Sequence, residues 1–178
     1  MKRIDFIRNV ASGVAATLLL PSLAVASVTK KIKHNHVKIV KNGEGQKLNV
    51  IGDRMTIRLT GEDTGGQFTF FEQENDPGVG IPPHVHANED EAFKVVEGQV
   101  EFWLDGQTRV LEAGDVIYCP KGLPHTWKVV GNQKAKVDVS VFPAGLEKMF
   151  KELSRLPQGP PDKAVVTEIV GRYGIEFV

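Results

Sequence analysis

Two short segments of the chain, residues 78–98 and 114–125, carry the side chains best suited to chemistry. They contain three histidines and one glutamate that could bind the same metal ion: His84, His86, Glu91 and His125. Imidazole and carboxylate ligands suit a divalent transition metal such as iron, manganese, nickel, copper or zinc. Four such ligands also leave coordination positions open for a substrate or for dioxygen. We therefore predict that these residues bind one divalent transition metal.

The spacing of the first two histidines predicts that a single strand presents both of them. Alternate side chains of a strand share a face, so His84 and His86 would project to the same side, about 7 Å apart. A turn follows, and we expect Glu91 to open a second strand beside the first. His125 comes from a distant segment. The prolines and glycine within residues 120–124 predict a sharp turn just before it.

The two segments resemble the two sequence motifs of the cupin superfamily. The first motif, Gly-x5-His-x-His-x4-Glu-x6-Gly, is matched at every fixed position, by Gly78, His84, His86, Glu91 and Gly98. The second motif, Gly-x5-Pro-x-Gly-x2-His-x3-Asn, is matched by Gly114, Pro120, Gly122 and His125, with Val129 in place of the final Asn. That Asn is not a metal ligand in the family, so its replacement affects loop hydrogen bonding rather than the ligand set. The resemblance implies a double-stranded β-helix, which is the all-β jelly-roll barrel of cupins.

The pattern of the chain between residues 46 and 143 also indicates an all-β barrel or sandwich. Short segments such as 55–59, 100–104 and 135–141 are rich in strand-forming residues, and Gly, Pro and Asp separate them. Asp105-Gly106 predicts a hairpin, and residues 94–97 are expected to meet 100–104 through a turn at Gly98. Regular short strands of this kind agree with a cupin barrel at 46–143.

After Pro143 the period of the apolar residues changes from two residues to about 3.6 residues. This change predicts a short helical tail at 144–178. The apolar stripe of the first helix is Leu146, Met149, Phe150 and Leu153, and that of the second is Val166, Ile169, Val170 and Tyr173. Asp162 is predicted to cap the second helix and Gly174 to end it. We expect these helices to pack on the barrel or to form a dimer contact, and we expect a homodimer.

Residues 1–26 have the features of an export signal peptide. A basic start with Lys2, Arg3 and Arg8 precedes an apolar stretch, and Ala24-Val25-Ala26 forms a cleavage site before Ser27. The start also resembles twin-arginine export signals, but Ile4 replaces the second arginine, so this route and general secretion both stay open. We expect an exported, periplasmic protein.

Residues 27–45 are predicted to be a lysine-rich linker. His34 and His36 within it repeat the His-x-His spacing, but no carboxylate or third histidine accompanies them. We therefore expect no metal site there. The full chain has 22 basic and 22 acidic residues, so its charge gives no reason to expect nucleic acid as a partner. The single cysteine, Cys119, excludes an intramolecular disulfide and is expected to be a small core residue.

Three functions are compatible with these motifs. The resemblance extends to small bacterial single-domain cupins related to quercetinase, which implies a metal-dependent dioxygenase acting on a small phenolic or enolic compound. Glu91 would then be both a metal ligand and the catalytic base. The alternatives are an exported cupin that binds a sugar or aromatic ligand without turnover, and a metal-dependent isomerase or lyase. Phe93 and Trp127 lie on the ligand face and could line the small-molecule pocket or belong to the core.

Overall fold

The computed structural model of this 178-residue protein describes residues 37–157 and 159–178. The predicted export signal, most of the predicted linker, His34 and His36 lie outside the described residues. The first strand begins at Gln46, the residue after the predicted linker. No helix among the described residues has the length and apolar character needed to cross a lipid bilayer.

Within the described ranges, the chain is built mainly of short strands. The strands are β1 (Gln46–Val50), β2 (Asp53–Leu59), β3 (Thr69–Asn75), β4 (His84–His86), β5 (Asp90–Glu97), β6 (Gln99–Leu104), β7 (Gln107–Glu112), β8 (Val116–Cys119), β9 (His125–Val130), β10 (Ala135–Phe142) and β11 (Ile175–Phe177). The helices are α1 (Gly61–Thr64), α2 (Leu146–Leu153) and α3 (Lys163–Arg172). All-β architecture with a short C-terminal helical tail is therefore confirmed.

The strands form two antiparallel sheets. One sheet has six strands in the order β1-β2-β3-β10-β5-β8, and the other has five in the order β11-β4-β9-β6-β7. Because strands that follow one another along the chain repeatedly change sheet, the two sheets wind into the jelly roll of a double-stranded β-helix. The fold predicted from the motifs is confirmed.

Gly98 marks one of the points where the chain changes sheet. β5 ends at Glu97 and β6 begins at Gln99, yet the two strands lie in different sheets and do not pair as a hairpin. Gly98 has a φ of +77°, and a Cβ atom there would lie 2.4 Å from the carbonyl oxygen of Lys134. Only glycine fits this crossing. By contrast, the hairpin predicted at Asp105-Gly106 does join the neighbouring strands β6 and β7.

The expectation that Glu91 opens a strand beside the histidine strand is wrong. β4 pairs with β9 and β11, whereas β5, which carries Glu91, pairs with β8 and β10. The connection at 87–89 therefore crosses from one sheet to the other instead of turning back as a hairpin. As a result, Glu91 approaches the two histidines from the opposite sheet.

The core lies between the two sheets. Alternate residues of β10 are buried, namely Ala135, Val137, Val139 and Val141. Phe93 of β5 and Phe102 of β6 join the sheets through an edge-to-face contact, with ring centroids 5.2 Å apart. Contacts of this kind stabilise beyond the burial of their area. The barrel interior is thus packed with side chains around the residues of the site.

The C-terminal tail closes over one side of the barrel. All four predicted stripe residues of α2 are buried, and so are Val166, Ile169 and Val170 of α3. The side chain of Asp162 accepts hydrogen bonds from the backbone N–H groups of Ala164 and Val165, as expected for the cap of α3. β11 was not predicted, because three residues are too few to show a strand period. It pairs with β4 and adds the tail to the five-stranded sheet.

Candidate metal centre

The structure brings His84, His86, Glu91 and His125 together inside the barrel. One potential ligand atom from each residue lies within 4.8 Å of those of the other three. All four residues are buried, with at most 6% of the surface of any one exposed. Two ligands about 2.1 Å from the same ion can lie up to roughly 4.2 Å apart, so only a small adjustment would close the cluster around a metal.

Strand ends position these side chains. His84 and His125 are the first residues of β4 and β9 and lie directly opposite each other in the antiparallel pair. The loop before His125 is tied to β4 because the backbone N–H of Gly122 donates to the carbonyl of His86. The distant second motif is held against the first by this hydrogen bond and by the strand pairing.

Backbone carbonyl groups fix the orientation of two imidazole rings. Nδ1 of His84 lies 3.0 Å from the carbonyl oxygen of Pro82, and Nδ1 of His125 lies 3.1 Å from that of Leu123. A carbonyl oxygen only accepts, so each Nδ1 carries the proton and donates. Nε2 of each ring then points into the cluster, which is the arrangement commonly found for metal-binding histidines.

His86 provides the test of whether the cluster fits a metal. Both of its ring nitrogens are buried and have no hydrogen-bond partner. Its Nε2 lies 3.6 Å from Oε2 of Glu91, which is too long for a hydrogen bond. Buried polar atoms without a partner are rare, and each calls for an explanation such as an ion. A divalent metal between these atoms would satisfy Nε2 of His86, so the residues present fit the ion predicted from the sequence.

The electrostatics of the cluster favour metal binding. Burial, together with the neighbouring His125, lowers the pKa of His84 to about 4. His84 is therefore neutral at pH 7 and has a free lone pair. Burial also opposes charge on Glu91, but the hydrogen bond from His125 and the charge of His86 hold the pKa of Glu91 below its ordinary value. The carboxylate remains ionised and can bind a cation.

His125 and Glu91 share a proton in the metal-free cluster. Nε2 of His125 lies 3.1 Å from Oε2 of Glu91. Burial opposes the charged imidazole, but the hydrogen bond and the charge of Glu91 outweigh it and raise the pKa of His125. A metal bound at Nε2 would displace this proton, because metal ions bind histidine in its neutral form.

Cys119 lies beside this cluster but is not part of it. It is the strand partner of Glu91 in the β5–β8 pair and is buried. Burial, helped by the charge of Glu91, raises the pKa of the Cys119 thiol to about 12. The thiol therefore stays protonated, and only the thiolate is a good metal ligand. Its place in the apolar core confirms the predicted packing role.

The two aromatic residues considered for a pocket have different surroundings. Phe93 is buried against Phe102 in the core. Trp127, also buried, lines a cavity of about 490 Å³.

Val129, which stands where the second motif has Asn, is buried, and its backbone exchanges hydrogen bonds with Gly78 and Val79. These two bonds hold the loop of the first motif although the side chain of Asn is missing.

Glu89 is a member of the site that the sequence did not reveal. It falls in the turn between the motif histidines and Glu91, where a glutamate is usually solvated, yet only 7% of its surface is exposed. Its Oε2 lies 3.6 Å from Nδ1 of His86, and this oxygen has no other partner. A carboxylate in this position orients the imidazole and strengthens it as a ligand. The separation of 3.6 Å is too long for a hydrogen bond, but a small closing movement on metal binding would let Nδ1 of His86 donate to Glu89.

Glu89→Gln is expected to weaken metal binding about tenfold, since removing such a partner typically costs tenfold to a hundredfold in affinity. The measurement is a competition titration against a chelator of known affinity. Glu97→Gln is the control, because Glu97 lies at the exposed end of β5, far from Glu91 and the metal cluster. Equal affinities for wild type and Glu89→Gln would show that Glu89 does not support His86.

Comparison with known proteins places these residues in a family. A family model of the cupin domain matches residues 71–142. Quercetin 2,3-dioxygenase from Bacillus subtilis (strain 168) is 32% identical over 116 residues, which cover 65% of this chain and 34% of that protein. An uncharacterized protein from Aquifex aeolicus (strain VF5) is 30% identical over 91 residues, or 51% of this chain and 68% of that protein. The chain spans about a third of the length of the dioxygenase.

The same fold is found in solved structures. KdgF from Halomonas sp. superposes with a TM-score of 0.55 at 22% identity, covering 64% of this chain and 99% of that chain. At this identity the match concerns the fold alone. The matched domain contains all four residues of the cluster, and both motifs lie within the jelly roll just described. On the strength of fold, motifs and relatives together, the chain belongs to the cupin superfamily.

Proposed function

We propose that this cupin is a metal-dependent dioxygenase that acts on a small phenolic or enolic compound. The observation that carries the proposal is the buried cluster of three imidazoles and one carboxylate. Its support from comparison is the quercetin 2,3-dioxygenase of Bacillus subtilis, whose matched segment includes a third of that enzyme's length. Quercetin is accordingly the first substrate to try.

The histidines and Glu91 have separate tasks in this proposal. His84, His86 and His125 would hold the ion through Nε2, with Glu91 as the fourth ligand. A divalent metal held there would act as a Lewis acid on a substrate oxygen and would bring dioxygen and the substrate close together. Buried residues beside the cluster, such as Cys119 and Val141, which are the strand partners of Glu91, keep bulk water away from it.

Glu91 is the residue that would move a proton. Its Oε2 lies 3.1 Å from Nε2 of His125 and 3.6 Å from Nε2 of His86, so it faces the centre of the cluster. A phenolic or enolic hydroxyl entering the cluster would meet this oxygen and transfer its proton there. Loss of the proton makes the substrate more electron-rich, which is what reaction with dioxygen requires. The carboxylate is ionised before that transfer, because its imidazole neighbours outweigh burial and hold the pKa of Glu91 below its ordinary value.

The test is oxygen consumption in the presence of quercetin. Metal-free protein is loaded in turn with iron, manganese, nickel, copper and zinc, and uptake is followed with an oxygen electrode. The expected result is uptake that needs both the metal and quercetin and that disappears in His84→Ala. No uptake with any of these metals, for quercetin or for simpler phenols, would overturn the proposal. Conversion of a substrate without oxygen would instead indicate an isomerase or lyase.

A further inference from the structure

A cavity of about 490 Å³ lies against the barrel and is lined in part by α2 and α3. None of the four residues of the metal cluster lines it. Its walls are mainly apolar and include Met55, Trp127, Met149, Phe150, Val170 and Phe177. Both the volume and the apolar lining are typical of sites for small molecules.

One partly buried carboxyl group interrupts the apolar wall. Asp53, at the start of β2, lines the cavity, and its two oxygens accept hydrogen bonds from Nε2 of Gln73 at 2.7 Å and Nδ2 of Asn75 at 2.6 Å. Asn75 is itself fixed, because its Oδ1 accepts from the backbone N–H of Arg54. The carboxyl group is therefore held in one orientation, and its oxygens keep lone pairs for a further donor.

Placing the carboxyl group of Asp53 in this position lowers the stability of the fold. Burial raises the pKa of Asp53 to about 6, although the hydrogen bonds from Asn75 and Gln73 lower it. An amide or hydroxyl could serve packing here without the cost of burying a charge. Ionisable groups with shifted pKa values in clefts occur often at functional sites.

The rim of the cavity contains a strained residue. Ile51 lines the cavity and lies in the turn between β1 and β2 with a φ of +53°, a region that β-branched residues rarely adopt. Its side chain is 40% exposed. Strain of this kind persists where the surrounding structure enforces it, and it is concentrated at ligand sites. The turn thus presents an apolar side chain at the entrance instead of the usual polar one.

We propose that this cavity binds a compact hydroxylated aromatic molecule, with the ring against the apolar wall and the hydroxyl donating a hydrogen bond to Asp53. A neutral donor fits better than a cation, because burying an ammonium group against the apolar wall costs more than burying a hydroxyl. The site borders the metal centre through β11: Ile175 and Phe177 line the cavity and are the strand partners of His86 and His84. Binding at Asp53 needs no metal, so this site stands apart from the proposed oxidation.

The experiment uses three probes of similar shape, 4-propylphenol, 4-propylanisole and 4-propylbenzylamine. Their affinities for the metal-free protein are measured by calorimetry or by ligand-observed NMR. We expect the phenol to bind about tenfold more tightly than the anisole, which lacks the donor, since the hydrogen bond involves a charged group. The amine is expected to bind less tightly than the phenol. Asp53→Asn should bring the affinity of the phenol close to that of the anisole and leave the anisole within about twofold.

Two pairs of variants control the result. Asp105→Asn removes a charge from an exposed aspartate in the turn between β6 and β7, outside the cavity lining, and should change nothing. Thr167→Trp fills the cavity from the exposed face of α3 and should abolish binding of both aromatic probes, whereas Ala164→Trp, on the same helix outside the cavity, should not. Thr167→Trp keeps the test decisive if Asp53→Asn fails to fold.

Several outcomes would overturn the inference. These are equal affinities for the phenol and the anisole, tighter binding of the amine, or no effect of Thr167→Trp. Loss of phenol binding when the metal is absent, or in His84→Ala, would also do so, because the probe would then be held at the metal centre. Failure to consume oxygen overturns only the proposed oxidation and leaves phenol binding at Asp53 as expected.

Discussion

Glu91→Gln is expected to reduce oxygen consumption roughly a hundredfold to ten-thousandfold, the usual cost of losing a general base. The substitution keeps the size of the side chain and one oxygen but removes the negative charge and nearly all of the basicity. Glu91 is buried and its Oε2 faces Nε2 of both His86 and His125, so it is the carboxylate placed among the imidazoles of the cluster. The rate is measured at saturating metal and substrate with an oxygen electrode.

The same variant should keep its metal, because three histidines remain to hold it. Metal content by elemental analysis and substrate affinity by calorimetry are therefore measured beside the rate. Glu89→Gln is an informative comparison, since it should weaken metal binding yet recover most of its rate once the metal is saturating. If Glu91→Gln consumed oxygen as fast as wild type, the carboxylate would have no catalytic task and the proposed mechanism would be wrong.

His84→Ala, His86→Ala and His125→Ala are each expected to lose most of the bound metal. Removing a ligand should cost more than the tenfold to hundredfold typical of the residues that orient ligands. Elemental analysis after reconstitution at neutral pH gives the metal content, and circular dichroism shows whether each variant folds. His34→Ala and His36→Ala are the controls. These two linker histidines share the His-x-His spacing, but no carboxylate or third histidine accompanies them in the sequence. If the two linker variants lost as much metal as the motif variants, the site assignment would be wrong.

The pH dependence of metal binding gives a second readout of the same cluster. The raised pKa of His125 means that a proton competes with the metal for Nε2, so affinity should fall as the pH is lowered. His84, with a pKa of about 4, is already neutral at pH 7 and adds no such competition there. Calorimetry in buffers of different ionisation enthalpy should accordingly detect proton release on binding. Affinity that did not change between pH 6 and pH 8 would contradict the shared proton of His125 and Glu91.

The sequence alone determined those features that depend on neighbours along the chain. Side-chain alternation placed His84 and His86 on one face, and both are buried in the cluster. The spacing of about 3.6 identified the buried stripe of α2, and Asp162 was recognised as the cap of α3. Local periodicity decides which face of a helix or strand is apolar, and one short segment contains that information.

Strand pairing, in contrast, was decided by the tertiary structure. Adjacent segments suggested that β4 and β5 would lie side by side, whereas the chain crosses between the sheets after each of the two strands. Pairing depends on which distant strands bury the other faces, and alternation does not specify the partner. The crossing is what brings Glu91 to the histidines from the opposite wall of the barrel.

Burial of individual polar groups also required the closed barrel. Glu89 lies in a turn segment that would ordinarily be solvated, and it is buried beside Nδ1 of His86 only because the surrounding structure covers it. Asp53 likewise acquires its shifted pKa and its place in the cavity from β3 and the C-terminal tail. The environment of a titratable group is the sum of contacts from distant parts of the chain. Residue types and spacing therefore located the metal centre, while folding determined its supporting carboxylate and the neighbouring cavity.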